Sequence, residues 1–381
     1  MRARTFLALA GAVAAAAAGC RTHAGDVAAA PLTALRSVDV TYAGEAHDQL
    51  AHHAYELRML QELTAAGQRD GTPVLLGMEM FQRPFQRHLD DYVAGRVPER
   101  EMLRRTGYFD RWSYDHTLYA PLWQHCREHG VRIVALNADR DVTRVVSRGG
   151  GLDALTPQQR AVLAAEIDLG VEAHRERVMA VFRSGAHPMP EEALQGYYAA
   201  MTAWDETMAE SAAQALVEAG PGARMLVVAG SQHVQEFTGI PDRVSRRLPG
   251  TSRAVVVLRT LGSEEAGSPP DAALGDFVVR LAPVAAPPPT RLGVMLRDEP
   301  LPEGLLVTGL VAGGNGARAG LLVDDVVQWV GDARITDMTD LRYALDRTPL
   351  GTTLCVRVLR GWGRRCIEVT FEPPPDPSEK P

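Results

Sequence analysis

Val38-Asp-Val-Thr-Tyr-Ala-Gly-Glu-Ala-His47 is a short apolar run that ends in ionisable residues. The pattern recurs. Val74-Leu-Leu-Gly-Met78 runs into Glu79, and Val131-Arg-Ile-Val-Ala-Leu136 into Asn137-Ala138-Asp139-Arg140. Met225-Leu-Val-Val-Ala-Gly230 runs into Ser231-Gln232-His233. Continuous apolar runs of this length read as strands buried on both faces, the mark of a parallel sheet. Ligands of such sheets sit outside the carboxyl ends of the strands. The four endings are therefore expected to meet in one pocket holding Glu45, His47, Glu79, Asn137, Asp139, Arg140 and His233.

Helical stretches separate the strands. Residues 49–66 read as a helix, as do 155–183 and 191–219. Leu169, Val171, Val178, Val181 and Phe182 fall near one face of the second of these. Residues 84–130 read as a helical insertion rich in aromatics: Tyr92, Tyr108, Phe109, Trp112, Tyr114, Tyr119 and Trp123. Such rings build a local core, or hold a flat apolar ligand beside the strand ends. Asp276-Phe-Val-Val-Arg-Leu-Ala282 reads as the last strand of the first domain, which spans 35–283. The fold class is α/β, a mainly parallel sheet with helices on both faces, followed by a small mainly-β domain.

The amino terminus, Met1-Arg-Ala-Arg4 followed by an Ala-rich run to Gly19-Cys20, reads as a signal peptide over residues 1–19. Ala16-Ala-Ala-Gly-Cys20 resembles a bacterial lipobox, with Ala where Leu is usual. That implies lipidation at Cys20, a tether over 20–34 and a membrane-anchored protein of the bacterial cell envelope. Loss of Arg2 and Arg4 takes the formal charge from −7 to −9, a balance that argues against nucleic acid or an anionic lipid surface as partner. Beyond Cys20 the chain has Cys126, Cys355 and Cys366 and no Cys-x-x-Cys pair, which disfavours a thiolate metal site. Cys355 and Cys366 could face each other across a hairpin.

A Pro-rich linker, 284–290, precedes a second unit at 291–372, and residues 373–381 read as a disordered tail. The unit contains Arg291-Leu-Gly-Val-Met-Leu296, Asn315-Gly-Ala-Arg-Ala-Gly-Leu321, Asp324-Asp-Val-Val-Gln-Trp-Val330 and Gly331-Asp-Ala-Arg-Ile335. It resembles a bacterial PDZ domain. The resemblance implies a peptide or protein C-terminus as partner, its carboxylate held by the loop Leu292-Gly293-Val294-Met295. The linker implies few contacts across the boundary.

Glu45, His47, Glu79 and His233 are donors of the kind that bind a divalent metal or do acid–base work. Asp139 and Arg140 either pair with each other or orient a ligand carboxylate. His52 and His53 fall on the first helix. His88, His116, His125, His129, His174 and His187 lack a supporting pattern and read as surface or structural.

Gly44-Glu45-Ala46-His47, Glu79-Met80-Phe81, Leu136-Asn137-Ala138, Trp204-Asp205-Glu206-Thr207-Met208-Ala209, Gly230-Ser231-Gln232-His233-Val234 and Gly239-Ile240-Pro241 together resemble the ChaN-type haem-binding lipoproteins. The resemblance covers residues 37–258. It implies haem as cofactor and partner, a role in iron uptake or haem trafficking, and a homodimer with haem at its interface. The wider superfamily includes erythromycin-esterase-like and Tiki-type hydrolases. A metal-dependent or acid–base hydrolase using Glu45, His47, Glu79 and His233 is therefore the alternative. The resemblance names no axial ligand; a Tyr or His is chemically reasonable, and Tyr119 is the tyrosine selected.

Overall fold

A computed structural model describes residues 30–112, 114–183, 190–263, 270–284, 286–301 and 304–373. The leader, Cys20 and nearly all of the tail lie outside the described residues.

The expected strands form and a further one joins them. They are β1 (Val40–Glu45), β2 (Val74–Gln82), β3 (Arg132–Asn137), β4 (Arg224–Gly230), β5 (Arg253–Thr260) and β6 (Phe277–Leu281). All pairings are parallel, in the order β3-β2-β4-β1-β5-β6. The chain moves from β1 outward to β2 and β3, returns to place β4 between β2 and β1, and leaves by β5 and β6. β1, β4 and β2 are thus adjacent at the point where the winding reverses, where open α/β sheets hold their ligands. Their carboxyl ends carry Glu45, His233 and Glu79. β5 went unread because its apolar run, Ala254–Leu258, ends in no ionisable cluster.

Successive residues of each strand face opposite layers. Leu226 and Val228 pack with Tyr55, Met59, Leu60 and Leu63 of α1 (Leu50–Asp70). Met225 and Val227 pack under Met208, Ala212 and Leu216. The insertion supplies α2 (Gln86–Val93), α3 (Glu99–Thr106), α4 (Tyr108–Arg111) and α5 (His116–His129). Tyr92, Tyr108, Tyr119 and Trp123 are buried in the layer shared with α1. α6 (Arg140–Val145) and α7 (Glu172–Arg183) follow, then α8 (Glu191–Ala219) and α9 (Ile240–Arg247) cover the opposite face.

The expected helix 155–183 is broken. Only a capped turn, Pro157–Ala161, and α7 are helical. Between them, the backbone N–H groups of Ala164, Ala165 and Asp168 donate to Thr207 Oγ1, Glu210 Oε2 and Glu206 Oε1 of α8, at 3.0, 2.9 and 3.2 Å. These bonds replace the helix ladder. Leu169 is consequently exposed rather than on a core face, and the side chains of Val181 and Phe182 lie outside those described.

The second unit is an antiparallel sheet, β12-β11-β9-β8-β7, with β10 on β9. Its strands are β7 (Val294–Leu301), β8 (Gly304–Leu310), β9 (Val326–Val330), β10 (Ala333–Arg334), β11 (Thr353–Arg360) and β12 (Gly363–Thr370). With α10 (Asn315–Ala319) and α11 (Met338–Asp346) it encloses its own core around Val307, Val327, Val356 and Phe371. Cys355 and Cys366 form a disulfide across the β11–β12 hairpin.

The boundary is more populated than the linker implies. Arg104 of α3 reaches Asp337 and Asp340 at 2.7 and 2.5 Å. His116 of α5 contacts Asp346 at 2.9 Å and stacks on Tyr343 with ring centroids 5.2 Å apart. Helix α11 is thereby seated on the aromatic insertion.

Candidate functional site

Two buried ion clusters lie side by side beneath the strand ends. In the first, Glu45 Oε1 lies 2.8 Å from His47 Nδ1 and accepts the Tyr119 hydroxyl at 3.0 Å. Its Oε2 is 3.1 Å from His53 Nδ1, which is also 3.1 Å from Glu56 Oε2. His53 Nε2 meets the His47 carbonyl at 3.1 Å. In the second, Glu79 accepts the Gly230 N–H at 2.7 Å and lies 3.3 Å from His233 Nε2. His233 Nδ1 lies 2.5 Å from Asp205, whose other oxygen is 3.3 Å from His174. Gly230 joins the clusters, because a Cβ there would stand 3.0 Å from the His47 ring and 3.6 Å from Glu79.

The charges follow from these contacts. Burial disfavours the His233 cation, but Glu79 and Asp205 outweigh it and lift the imidazole to about 10. Burial would raise Glu79, yet the His233 charge holds it at about 2. For His53, the bond and charge of Glu56 overcome burial, and the ring rises to about 9. Burial and the charge of Glu45 raise the Glu56 carboxyl, against the pull of His53. His47 rises above its ordinary range, because the Glu45 bond and the Glu79 charge exceed the effect of burial. Burial lowers His174 to about 4 and keeps it neutral.

Above the clusters opens a cavity of about 250 Å³, whose lining includes His47, Glu79, Arg140, Trp112, Tyr114 and His233, with Met80, Arg111 and Trp204 also in the wall. Trp112 and Tyr114 each stand 4.9 Å from the His47 ring. His47 Nδ1 is held by Glu45, and its Nε2 makes no hydrogen bond among the described residues.

The residues expected at the site thus have different places. His47, Glu79, Asn137, Arg140 and His233 line the cavity, and Glu45 lies just beneath it. Asn137 ties β3 to β2 by donating to the Glu79 carbonyl at 2.9 Å. Asp139 and Arg140 do not pair. Asp139 accepts the N–H groups of Asp141 and Val142 as the cap of α6, outside the cavity lining. Arg140 instead donates to the Asp110 carbonyl. Tyr119 is fully buried behind His47 with its hydroxyl given to Glu45, so it cannot reach a ligand in the cavity. Glu45, His47, Glu79 and His233 also do not form one ligand set. Glu45 and His47 belong to the first cluster and Glu79 and His233 to the second, where the His233 nitrogens face Glu79 at 3.3 Å and Asp205 at 2.5 Å.

Residues 32–244 match the family model described as haem-binding uptake, Tiki superfamily, ChaN. The chain belongs to this family. Among solved structures, one titled "Cofacial heme binding to ChaN of Campylobacter jejuni" aligns at a TM-score of 0.52 and 18% identity, covering 65% of this chain and 89% of that one. At that identity the likeness is one of fold. A curated relative, RETICULATA-RELATED 5 (chloroplastic) of Arabidopsis thaliana, is 25% identical over 235 residues, 59% of this chain. The match spans 31% of that relative's length. The PDZ domain of HtrA3 bound to a phage-derived ligand aligns with 22% of this chain and 85% of its own, at 18% identity and a TM-score of 0.20.

In this ChaN-family domain, Glu56, His174 and Arg111 were not expected at the site; His53 was placed on the first helix, Asp205 only within a family motif, and Trp112 and Tyr114 only among the rings that build a core or hold a flat ligand. His53 and Glu56 stand one helical turn apart at the start of α1, immediately after the Gly44–His47 ending, and that spacing was the available signal. Asp205 lies within the Trp204–Ala209 motif.

Proposed function

We propose that the strand-end cavity binds haem, with His47 Nε2 as the donor to iron and Trp112, Tyr114 and Trp204 against the porphyrin. The observation that carries this is the pairing of His47 Nδ1 with buried Glu45, at 2.8 Å. A carboxylate behind an imidazole fixes the tautomer and turns the other nitrogen outward as a ligand. Haem bound there supplies an iron centre. The chain's own residues orient the donor, cover one ring face and place Arg111 and Arg140 where propionates can be paired. A cavity of about 250 Å³ is below the usual range for an enclosed ligand of drug size, so the porphyrin rests on the site with a face open. A second copy of the chain covers that face, as the resemblance implies.

The second unit is proposed to be a peptide-binding PDZ domain. Gly293 takes φ +72°, and a Cβ there would lie 2.9 Å from Gly314 Cα, so the loop Leu292–Met295 admits only glycine at this point. Membrane anchoring through Cys20 in the cell envelope is proposed from the lipobox-like start; the Cys355–Cys366 disulfide supports an oxidising compartment. Cys20→Ala is expected to lower the share of the protein in the membrane fraction.

A second reading rests on the same His47–Glu45 pair, which is also a base with its orienting carboxylate. On that reading the domain is an acid–base hydrolase. Haem titration of the purified protein separates the two. A Soret band that saturates, and that His47→Ala shifts or abolishes, supports haem ligation. Non-specific absorption only, with hydrolysis that Glu45→Gln abolishes, would establish the hydrolase instead.

A further inference from the structure

The outer face of the second sheet joins a basic cavity to an apolar tip. The cavity, about 450 Å³, is lined by Arg334, Arg357, Arg364 and Arg365 around Trp329, and no carboxylate is among its lining residues. The Arg357 guanidinium lies 4.4 Å from the Trp329 ring centroid. Among the described residues, Arg334, Arg364 and Arg365 have no carboxylate partner, whereas nearby Arg360 is neutralised by Asp325 at 2.7 Å. Glu368 of β12 lies further from the hairpin tip, with a carboxylate oxygen 3.3 Å from Cys366 Sγ at the edge of the cavity.

That tip is Trp362, which is fully exposed. The adjoining loop presents Leu322 and Val323, 49% and 50% exposed. Arg360 holds the two loops together by donating to the Gly320 carbonyl at 2.9 Å and to Asp325. Three exposed apolar side chains therefore share one end of the second unit, with Arg364 and Arg365 next along β12.

We infer that this end is a membrane-contact surface: the arginines take the phosphates of anionic phospholipids while Trp362, Leu322 and Val323 enter the interface. Arginine suits phosphate through its planar fork of donors, and an indole favours the boundary between headgroup and acyl chain. A soluble anion would use the arginines but leave the exposed indole and aliphatic pair without a role. The net negative charge of the whole chain, which argued against an anionic lipid surface, bears less on this end, because attraction to a surface is set by charges within a Debye length of it. The inference is independent of the haem reading.

The test uses the chain from residue 21 onward, which lacks the acylation site and keeps every described residue. It is sedimented with vesicles of phosphatidylcholine alone and of phosphatidylcholine with phosphatidylglycerol. Binding is expected to the anionic vesicles only, to weaken with salt, and to fall about five-fold for Arg364→Ala or Arg365→Ala, since each basic residue near such a surface contributes about that factor. Trp362→Ala should reduce binding to the same vesicles with its melting temperature unchanged, because the indole touches little of the fold. No sedimentation, equal binding to both vesicle types, or unaltered binding by the arginine variants would overturn the proposal. So would inorganic phosphate binding that competes fully with vesicles while Trp362→Ala has no effect; the site would then serve a free anion.

Discussion

His233 has the most heavily constrained chemistry in the molecule. It is buried between Glu79 and Asp205, so His233→Gln leaves two carboxylates facing each other without a cation. Loss of one partner from a buried pair typically costs about 3–5 kcal/mol, and a marked fall in melting temperature is expected. The pH dependence has a definite sign. The folded-state value is raised from 6.5 to about 10, so the stabilisation is complete below pH 6.5 and is lost as pH rises through 10. Glu79, held at about 2 against 4.5, contributes stability present above 4.5 and lost as pH falls through 2. Melting curves of wild type and His233→Gln should converge towards pH 10; a gap that stays constant would refute the ion pair. Gly230→Ala probes the neighbouring residue. Its Cβ would press on the His47 ring at 3.0 Å, so the haem spectrum should shift while stability changes little. An unshifted spectrum on binding would remove His47 from the iron. The strand-end residues were legible in sequence because a buried strand delivers its last side chains to one place. His174, His53 and Glu56 were not, and Asp205 only as part of a motif, because they come from helices whose own sequence does not fix how they pack onto the sheet.

Elements show the same division. β1 to β4 were legible as apolar runs, and α8 as a long amphipathic segment. The segment 155–183 misled because helical periodicity continued through residues whose N–H groups are bonded by Thr207, Glu210 and Glu206. Those acceptors lie about forty positions away, and tertiary partners override propensity in such a case. The insertion was legible as helical and aromatic, but its division of labour was not. Tyr92, Tyr108, Tyr119 and Trp123 fill the core, while Trp112 and Tyr114, near the end of α4, reach the cavity. Trp112 and Tyr114 follow α4, which is only one turn long, so their fate depends on where that turn ends.

At the scale of the molecule, two cores share one short boundary. Each is complete in itself, since the second sheet closes around Val307, Val327, Val356 and Phe371; a piece spanning 288–374 is therefore expected to fold alone. What the linker sequence could not disclose is that α11 rests on α3 and α5. Arg104 bonds Glu101, Asp337 and Asp340 together, and Arg342 lies 5.2 Å from the Phe109 ring centroid on α4. Arg111, at the other end of that helix, lines the strand-end cavity. The boundary and the cavity thus share one rigid turn. Arg104 is partly exposed, so screening reduces its bonds, and the boundary stabilises the whole by on the order of 1–2 kcal/mol through this residue. Arg104→Ala combined with His116→Ala should release the second unit without opening either core. Calorimetry should then resolve two transitions, one for each unit, where the unaltered protein is expected to unfold in one. The same variant should bind haem with altered affinity, because α4 loses its anchor on the side away from the cavity. Two transitions with unchanged haem affinity would show that the boundary joins the units but does not communicate between them. A single, unshifted transition would show that the contacts around Arg104 and His116 carry no stability at all.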